Sequence, residues 1–484
     1  MEYNSKFDSE DNPEMNIIKN KKFLFKYHNY KSVIDSINAL EYAFFHASPD
    51  KIVKEKIYLS SSLTVFDVNN YCKTFDLAKV KSIYVISVGK ASVKMLKAIY
   101  DIFNVTIKRS ILIMPKGQIL DVQYCKKNFI DSEKITVIKS SHPIPDINSL
   151  KASKKVIDLL KEAKEDDLII FLISGGASSL MVSPLNTLNL QDKKTINQYL
   201  LSCGANIREI NTVRKHLSNI KGGNILKNIV DECCVISLIL SDVVGDDPNT
   251  IGSGLTIFDE STFLNSRCIF DKYYLSNKND ISLKRALETI NLGIKSKIPE
   301  TLKLKDFLKK DVSNFIIGNN TGFCNLIIQY LQSLGYEMNY LCLNYDNQIL
   351  EFITESKKII KDFLKKNSCV LIGGEITNTI IKKNVGKGGR NQESLCYLLD
   401  FFCNCQNEDY SVIFIGTDGI DGNSKAAGGL ISPKTIDVLK KRHIDICDYL
   451  NRHDSFNLLS QLHSNIFTGY TGTNFNDVYL FVRK

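Results

Sequence analysis

What most constrains this chain is a repeated pattern: an apolar run of strand length that stops abruptly at glycine, serine or a charged residue. The runs are IYVISV at 83–88, ILIM at 111–114, ITVI at 135–138, LIIFLI at 168–173 and VISLIL at 235–240. Between several of them lie stretches with helical spacing. In SLKASKKVIDLLKEAKE at 149–165, Val156, Leu159, Leu160 and Ala163 share one face. Strands that alternate with amphipathic helices predict a parallel sheet covered on both sides. A polar, less regular tract at about 259–312 breaks the rhythm and reads as an insertion or interdomain region. Alternation resumes with FII at 315–317, LCL at 341–343, VLI at 370–372 and VIFI at 412–415, which predicts a second α/β domain. Residues 1–30 hold few apolar side chains and read as a disordered extension.

The bulk properties exclude several classes. A chain of 484 residues is too long for a single core. Its 44% hydrophobic and 24% charged content is that of a soluble globular protein. The net charge of +9 is diluted, with only short clusters such as Lys19-Asn20-Lys21-Lys22, and no basic stripe interleaved with aromatics suggests a nucleic-acid partner. There are 13 cysteines but no C-x-x-C; Cys233-Cys234 and the Cys403/Cys405 pair have the wrong spacing for zinc. They read as small core residues of a reduced, intracellular protein. The N-terminus is polar and acidic, without a secretory apolar region, and the first arginine is Arg109, unlike a mitochondrial presequence. The longest apolar runs, such as CCVISLIL, fall far below the ~20 residues that span a bilayer. A cytoplasmic location with no membrane partner is expected.

The ends of the apolar runs carry the chemistry. They are Gly89-Lys90-Ala91-Ser92, Ser174-Gly175-Gly176, Ser241-Asp242, Gly318-Asn319-Asn320, Gly373-Gly374-Glu375 and Gly416-Thr417-Asp418-Gly419. Open α/β sheets bind ligands outside the carboxyl ends of their strands. Lys90 is placed near a helix N-terminus, where anions bind, although an exposed turn lysine is the plainer reading. It is not a Walker A lysine: Tyr84 and Ala91 stand where that pattern needs Gly and Ser or Thr. Ser174-Gly175-Gly176-Ala177-Ser178-Ser179 is either an anion cradle or a helix-capping turn, and Leu180 rules out a nucleophile elbow. Asp242, Asp246 and Asp247 could hold Mg²⁺, or simply make turns. In GKGGRNQESL at 386–395, Arg390 opens a helix, where its charge opposes the dipole and calls for an anionic partner; Glu393 is the simplest one. His142, in SSHPIPD, is stiffened by prolines and reads equally as a structural hydrogen-bonder or a catalyst.

In order and spacing, GKAS, SSHPIPD, SGGASSLM, REINTVRKHLSNIKGG, LSDVVGDD, GGEIT, GGRNQESL, GTDGIDG, AAGG and TGTNFND resemble the glycerate 2-kinase family, whose members carry a C-terminal MOFRL module. The resemblance runs from about residue 32 to about residue 480. It implies two α/β domains: a larger Rossmann-like parallel-sheet domain over 31–310, and a smaller MOFRL-type domain over 311–484 whose last residues could pack back on the first. It implies transfer of the γ-phosphate of ATP to D-glycerate, giving 2-phosphoglycerate, with Mg²⁺ and with the active site between the domains. Lys90 and Arg390 correspond to the family's catalytic cations, and Asp242 and Asp418 to its active-site acids. One Asp would serve as base and one for metal, with Asp242 and Asp246 the candidate metal ligands. Ser174, Gly175, Gly176, Ser178, Gly374 and Glu375 would line the phosphate or substrate site, and Arg214 and Lys215 are candidates for the glycerate carboxylate.

The chain departs from the family pattern at Ala177, where relatives carry glycine, and at Leu255, where they carry proline. Other readings are a hydroxypyruvate reductase and a non-catalytic nucleotide or metabolite sensor. The reductase would need G-x-G-x-x-G after its first strand, which Val88-Gly89-Lys90-Ala91 does not supply. A homo-oligomer is left open.

Overall fold

The structure is a computed structural model that describes residues 16–103, 106–118, 133–185, 187–378, 385–403 and 408–484. Residues 1–15 of the expected extension and Cys405 lie outside the described residues. The chain divides into two compact units: Pro49–Gly318, and Asn319–Lys484 together with the residues up to Ser48.

The Pro49–Gly318 unit begins with a small antiparallel sheet of β1 (Ile57–Leu59), β2 (Ser62–Phe66) and β3 (Cys72–Asp76). Six parallel strands follow: β4 (Ser82–Val88), β5 (Ile107–Pro115), β6 (Ile135–Ser140), β7 (Asp167–Ile173), β8 (Cys234–Leu240) and β9 (Val312–Gly318). Their order across the sheet is β6-β5-β4-β7-β8-β9. The chain steps outward from β4 to β6, then returns to the other side of β4 and steps outward again. That reversal makes the gap between β4 and β7 a topological switch point, where doubly wound sheets bind ligands. Every residue of β7 is buried, as an unbroken apolar run covered on both faces must be.

Two expectations are corrected here. The FII run opens no second domain; it lies in β9, paired parallel with β8 as the sixth strand of this sheet. The 259–312 tract is not irregular either. It folds into the helices Phe263–Lys272 and Ile281–Ile294, capped by the Thr262 and Asp280 side chains. Phe263, Ile269, Phe270, Leu283, Ala286 and Ile290 form a cluster with Ile196 and Leu200 of the helix Leu190–Ser202 and Ile210 and Val213 of the helix Ile207–His216. Polar residues dilute the tract's composition, but the apolar ones keep helical spacing.

The other unit is the expected second α/β domain, and its sheet is mixed. Its strands are β10 (Glu337–Tyr345), β11 (Ser368–Gly374), β12 (Tyr410–Gly416), β13 (Gly428–Ile431), β14 (Asn465–Ile466) and β15 (Asp477–Arg483), in the order β10-β11-β15-β12-β13-β14. Among the described residues, β10 and β11 are the one pair of strands in this sheet that runs parallel. The chain's last strand, β15, is thus central in this sheet, antiparallel to β11 and β12. Its first residue, Asp477, therefore faces their last residues, Gly374 and Gly416. The N-terminal helix Lys31–His46, which the alternation groups with the first domain, belongs to this unit; Phe44 meets Phe323 of the helix Asn320–Ser333 edge to face. Residues 16–30, expected to be disordered, are pinned here: Glu41 accepts from the N–H of Ile17 and Ile18, and a short helix spans Lys21–Tyr27.

Candidate active site

The switch point of the Pro49–Gly318 unit is where the sequence placed its two most suggestive loops. Leaving β4 and β7, they interlock. Lys90 N–H donates to Gly175 O at 2.9 Å, Ser174 N–H to Val88 O at 3.0 Å, and Ala91 N–H to Ser174 Oγ at 3.0 Å. Gly89 sits at φ +130, and a Cβ there would lie 2.1 Å from Ser174 Oγ, so only glycine lets the loops cross. Lys90 is half-buried just ahead of the helix Ser92–Phe103. Gly176 adopts φ +88, and a Cβ on it would meet the His142 ring at 2.8 Å. The GKAS, SSHPIPD and SGGASS strings thus converge on one sheet edge. Ala177, the departure from glycine, opens the short helix Ala177–Leu180 and is not left-handed; the residue that needs that freedom is Gly176. Leu255, the other departure, is 1% exposed and packs in the sheet's core.

Further along the same edge, Ser241-Asp242 follows β8, with Asp242 half-buried. Asp247 is spent on a turn, accepting from Asn249 N–H at 3.0 Å and Thr250 Oγ1 at 2.9 Å. Among the described residues, no three His, Cys, Asp or Glu side chains converge to hold a metal ion. Mg²⁺ carried on nucleotide phosphates asks for only one or two protein carboxylates and not for a protein-built cage. Arg214 and Lys215 part company. Lys215 is 5% exposed, pairs with Asp259 at 3.3 Å and donates to Asn249 Oδ1 at 3.3 Å, so its charge is balanced within the fold. Arg214 donates from Nε to the neutral Asn197 Oδ1 at 2.7 Å.

In the other unit, Arg390 opens the helix Arg390–Phe402. Its partner is not Glu393, which pairs with His453 at 2.9 Å. Arg390 donates from Nε and Nη2 to the two oxygens of Asp477, the latter at 3.1 Å, and from Nη1 to Glu375 Oε1 at 2.9 Å. Burial works against the guanidinium charge, but the Asp477 and Glu375 carboxylates outweigh it and hold its pKa well above the ordinary value. Asp477, 1% exposed, also accepts from Tyr479 OH at 3.1 Å. Glu375 is led here by Gly374, where a Cβ would lie 2.0 Å from Tyr345 O. Asp418 is close by: a Cβ on Gly416 would be 3.3 Å from Asp477 Oδ1 and 3.5 Å from Asp418 Oδ1. The start of the arginine's helix is capped from outside, with Asp421 accepting from the N–H of Asn391 and Gln392 at 3.2 and 2.9 Å. Burial pushes the Asp421 carboxyl up to about 6. A cavity beside this edge is lined by Glu375, Asn378, Gly389, Arg390, Asn423 and His453.

Comparison with known proteins decides the family. The chain is 34% identical over 404 residues to the glycerate 2-kinase of Pyrococcus horikoshii, covering 82% of this chain and 86% of that protein. It is 32% identical over 439 residues to the D-glycerate 2-kinase of Thermotoga maritima, covering 89% and 96%. The chain belongs to the glycerate 2-kinase family. Residues 36–288 match a family model described as a domain of unknown function (DUF4147), and residues 368–477 match the MOFRL family. The crystal structure of glycerate kinase from Thermotoga maritima superimposes with a TM-score of 0.74 at 29% identity, covering 93% of this chain and 99% of that one. As a member of the family, the protein is an enzyme of the kinase class, with a Rossmann-like unit and a MOFRL-type unit. Among the described residues, no helix is long and apolar enough to cross a membrane.

Asp477 escapes a reading of the sequence because it opens its strand, whereas the clusters legible in the sequence lie where strands end. Its signal was there in TNFND, an acid at the mouth of an apolar run. Asn211 and Lys221, which meet Ser253 of the loop that carries Leu255, were not singled out. Ser178 Oγ lies 2.6 Å from Ser253 Oγ, which donates to Asn211 Oδ1 at 3.0 Å, and Lys221 Nζ donates to Ser178 O at 3.0 Å. These contacts join positions up to 75 residues apart, a separation that local pattern cannot show.

Proposed function

We propose that this enzyme transfers the γ-phosphoryl group of ATP to the 2-hydroxyl of D-glycerate, giving ADP and 2-phosphoglycerate. The observation that carries the reading is the near-full-length similarity to proteins named as glycerate 2-kinases, joined to the meeting of Lys90 and the SGGASS loop at a switch point. The acceptor oxygen forms a bond to the γ-phosphorus as the bond from that phosphorus to ADP breaks. The acceptor's proton goes to a carboxylate, either Asp242 or Asp418. Charge spreads over the phosphoryl oxygens in the transition state, so cations and positioning supply most of the catalysis. Lys90 and Arg390 provide that charge, and Asp477 and Glu375 fix the guanidinium plane. Backbone N–H groups of Gly175 and Gly176, with the Ser178 hydroxyl, hold substrate oxygens at the sheet edge, while Ser174, whose N–H is taken by Val88 O, shapes the loop. Asp246, joined by Asp242 where Asp418 is the base, would hold Mg²⁺, which would screen the phosphate charge.

The test is a phosphorus NMR spectrum of the product made from ATP, Mg²⁺ and D-glycerate, expected to be that of 2-phosphoglycerate. A 3-phosphoglycerate spectrum would correct the acceptor hydroxyl, and no transfer to any small hydroxy acid would overturn the reading. Lys90→Ala is expected to lower kcat by about 10²–10³-fold, the scale of losing one transition-state donor, with the thermal unfolding midpoint little changed.

A further inference from the structure

Among the described residues, a positive cluster in the Pro49–Gly318 unit has no acid paired with it. On the helix Leu190–Ser202, Lys193 and Asn197 are four residues apart and share a face. Asn197 takes the Nε–H of Arg214, from the neighbouring helix Ile207–His216, at 2.7 Å. Three residues back on that helix, and on the same face, Asn211 accepts from Ser253 Oγ at 3.0 Å. Ser253 Oγ touches Ser178 Oγ at 2.6 Å, and Lys221 Nζ donates to Ser178 O and Oγ at 3.0 and 3.1 Å. Hydrogen bonds thus link Lys221, Ser178, Ser253 and Asn211, and Lys193, Asn197 and Arg214 stand on the adjoining helix faces; Ser178 lies in the short helix that follows the loop interlocked with Lys90.

The polar groups along this path are incompletely matched. Among the described residues, the Lys193 ammonium and the terminal nitrogens of Arg214 have no hydrogen-bond or ion-pair partner. Lys221, 1% exposed, reaches only hydroxyl and carbonyl oxygens. Asn211 is 4% exposed and its Nδ2 is buried without an acceptor. Lys215 is the contrast, because Asp259 neutralises it. Burial, joined by the charge of Arg214, pushes Lys193 down to about 7; burial alone pushes Arg214 down to about 10. Burial and the neighbouring cations hold Lys221 well below its ordinary value. Ser253 is kept at φ +60 between Gly252 and Gly254, a left-handed position that normally goes to glycine. Unbalanced buried charge is costly unless an anion completes it.

We propose that this cluster receives the carboxylate of the hydroxy-acid acceptor. Lys193 and the Arg214 terminal nitrogens bind the carboxylate oxygens, while Asn211 Nδ2 and the Ser178 and Ser253 hydroxyls bind the acceptor's neutral oxygens. The assignment rests on the kinase reading above. A nucleotide phosphate is the other anion such a site could take. The mixture favours the acceptor, because serine hydroxyls both donate and accept, as a hydroxy acid's own oxygens require, whereas a polyphosphate offers only acceptors.

Titration calorimetry with D-glycerate and, separately, with Mg²⁺–ATP tests this on the full chain and on Lys193→Met. K193M is expected to weaken D-glycerate binding at least about tenfold, as loss of a charge-assisted contact does, and to leave ATP binding unchanged. Discrimination against D-glyceramide, which lacks the charge, should fall with it. The unfolding midpoint of ligand-free K193M should rise, since an unbalanced charge is gone; a merely structural lysine would lower it. Unchanged D-glycerate binding overturns the proposal, and weaker ATP binding with normal D-glycerate binding reassigns the pocket to phosphate and also overturns it. If K193M does not fold, Asn211→Leu is expected to weaken D-glycerate binding selectively, and an unchanged affinity there overturns the proposal. The two readings fail separately. Wild-type protein that binds D-glycerate through Lys193 but transfers no phosphate keeps the pocket and loses the kinase. Phosphorylation that K193M leaves untouched does the reverse.

Discussion

At the scale of single residues, Arg390, the arginine proposed to act in catalysis, depends on an acid to which the proposal gives no chemistry of its own. Asp477 gives Arg390 a bidentate partner, and Asp477→Asn would leave one acceptor oxygen where two now sit. With Glu375 still in place, the guanidinium keeps its charge but loses its fixed plane. Stability is expected to fall by about 1.5–3 kcal/mol, the range for a hydrogen bond to a charged group, and kcat by more than KM for ATP. Steady-state kinetics and urea unfolding measure both, and an unaltered kcat would remove Asp477 from a positioning role. Ala177 was legible as a departure from relatives, but its consequence was not. Sequence showed a Cβ in a glycine-rich loop; in the structure the left-handed residue is the preceding one, Gly176. Ala177→Gly should therefore cost no more than the about 0.5–1 kcal/mol of a helix-interior glycine, since Ala177 is only the first residue of its helix, with kcat/KM unchanged. A gain in activity would show that the alanine does distort the loop.

Elements were legible wherever burial left a single option. LIIFLI had to be a strand because an unbroken apolar run of that length, ended by glycines, fits nothing else, and it is β7. What an apolar run does not encode is its neighbour or its direction. DVYLFVR says only that it is buried, and no local feature announces that β15 inserts antiparallel between β11 and β12. The mixed sheet and the acid it brings to the active edge were hidden for the same reason. The ordered N-terminal segment was hidden because its anchors are polar. His28, fully buried, bonds through Nδ1 to Ser432 Oγ at 2.8 Å and through Nε2 to His463 O at 2.9 Å. Burial holds its imidazole down at about 4, against an ordinary 6.5, so it is neutral in the folded chain. As pH falls from 6.5 towards 4, the unfolded chain takes up the proton first. Stability then drops by up to about 3 kcal/mol, a loss complete once the folded pKa is passed. His28→Gln should lower stability at neutral pH and flatten this dependence. Urea midpoints of both proteins at about pH 7 and about pH 4.5 give the comparison, and equal pH slopes would exclude His28 as the source.

For the molecule as a whole, the two units differ in how the chain builds them. One is a single stretch, Pro49–Gly318, with a complete doubly wound sheet; the other is assembled from both ends of the chain. The difference has an energetic consequence. In the helix Lys31–His46, Val33, Ile37 and Leu40 are fully buried and Phe44 is 5% exposed. At about 1.5–3 kcal/mol each, these side chains contribute about 6–12 kcal/mol, comparable with the ~5–15 kcal/mol net stability of a whole domain. Residues 319–484 expressed alone should therefore lack cooperative unfolding, although they hold all six strands of their sheet. Joining 16–48 to 319–484 through a flexible linker should restore a single cooperative melt, and 49–318 alone should melt cooperatively without help. Calorimetry of the three polypeptides measures this. If 319–484 alone unfolded as sharply as the linked form, the N-terminal segment would be an accessory to that unit, and its buried helix would have to be explained by something other than the unit's stability.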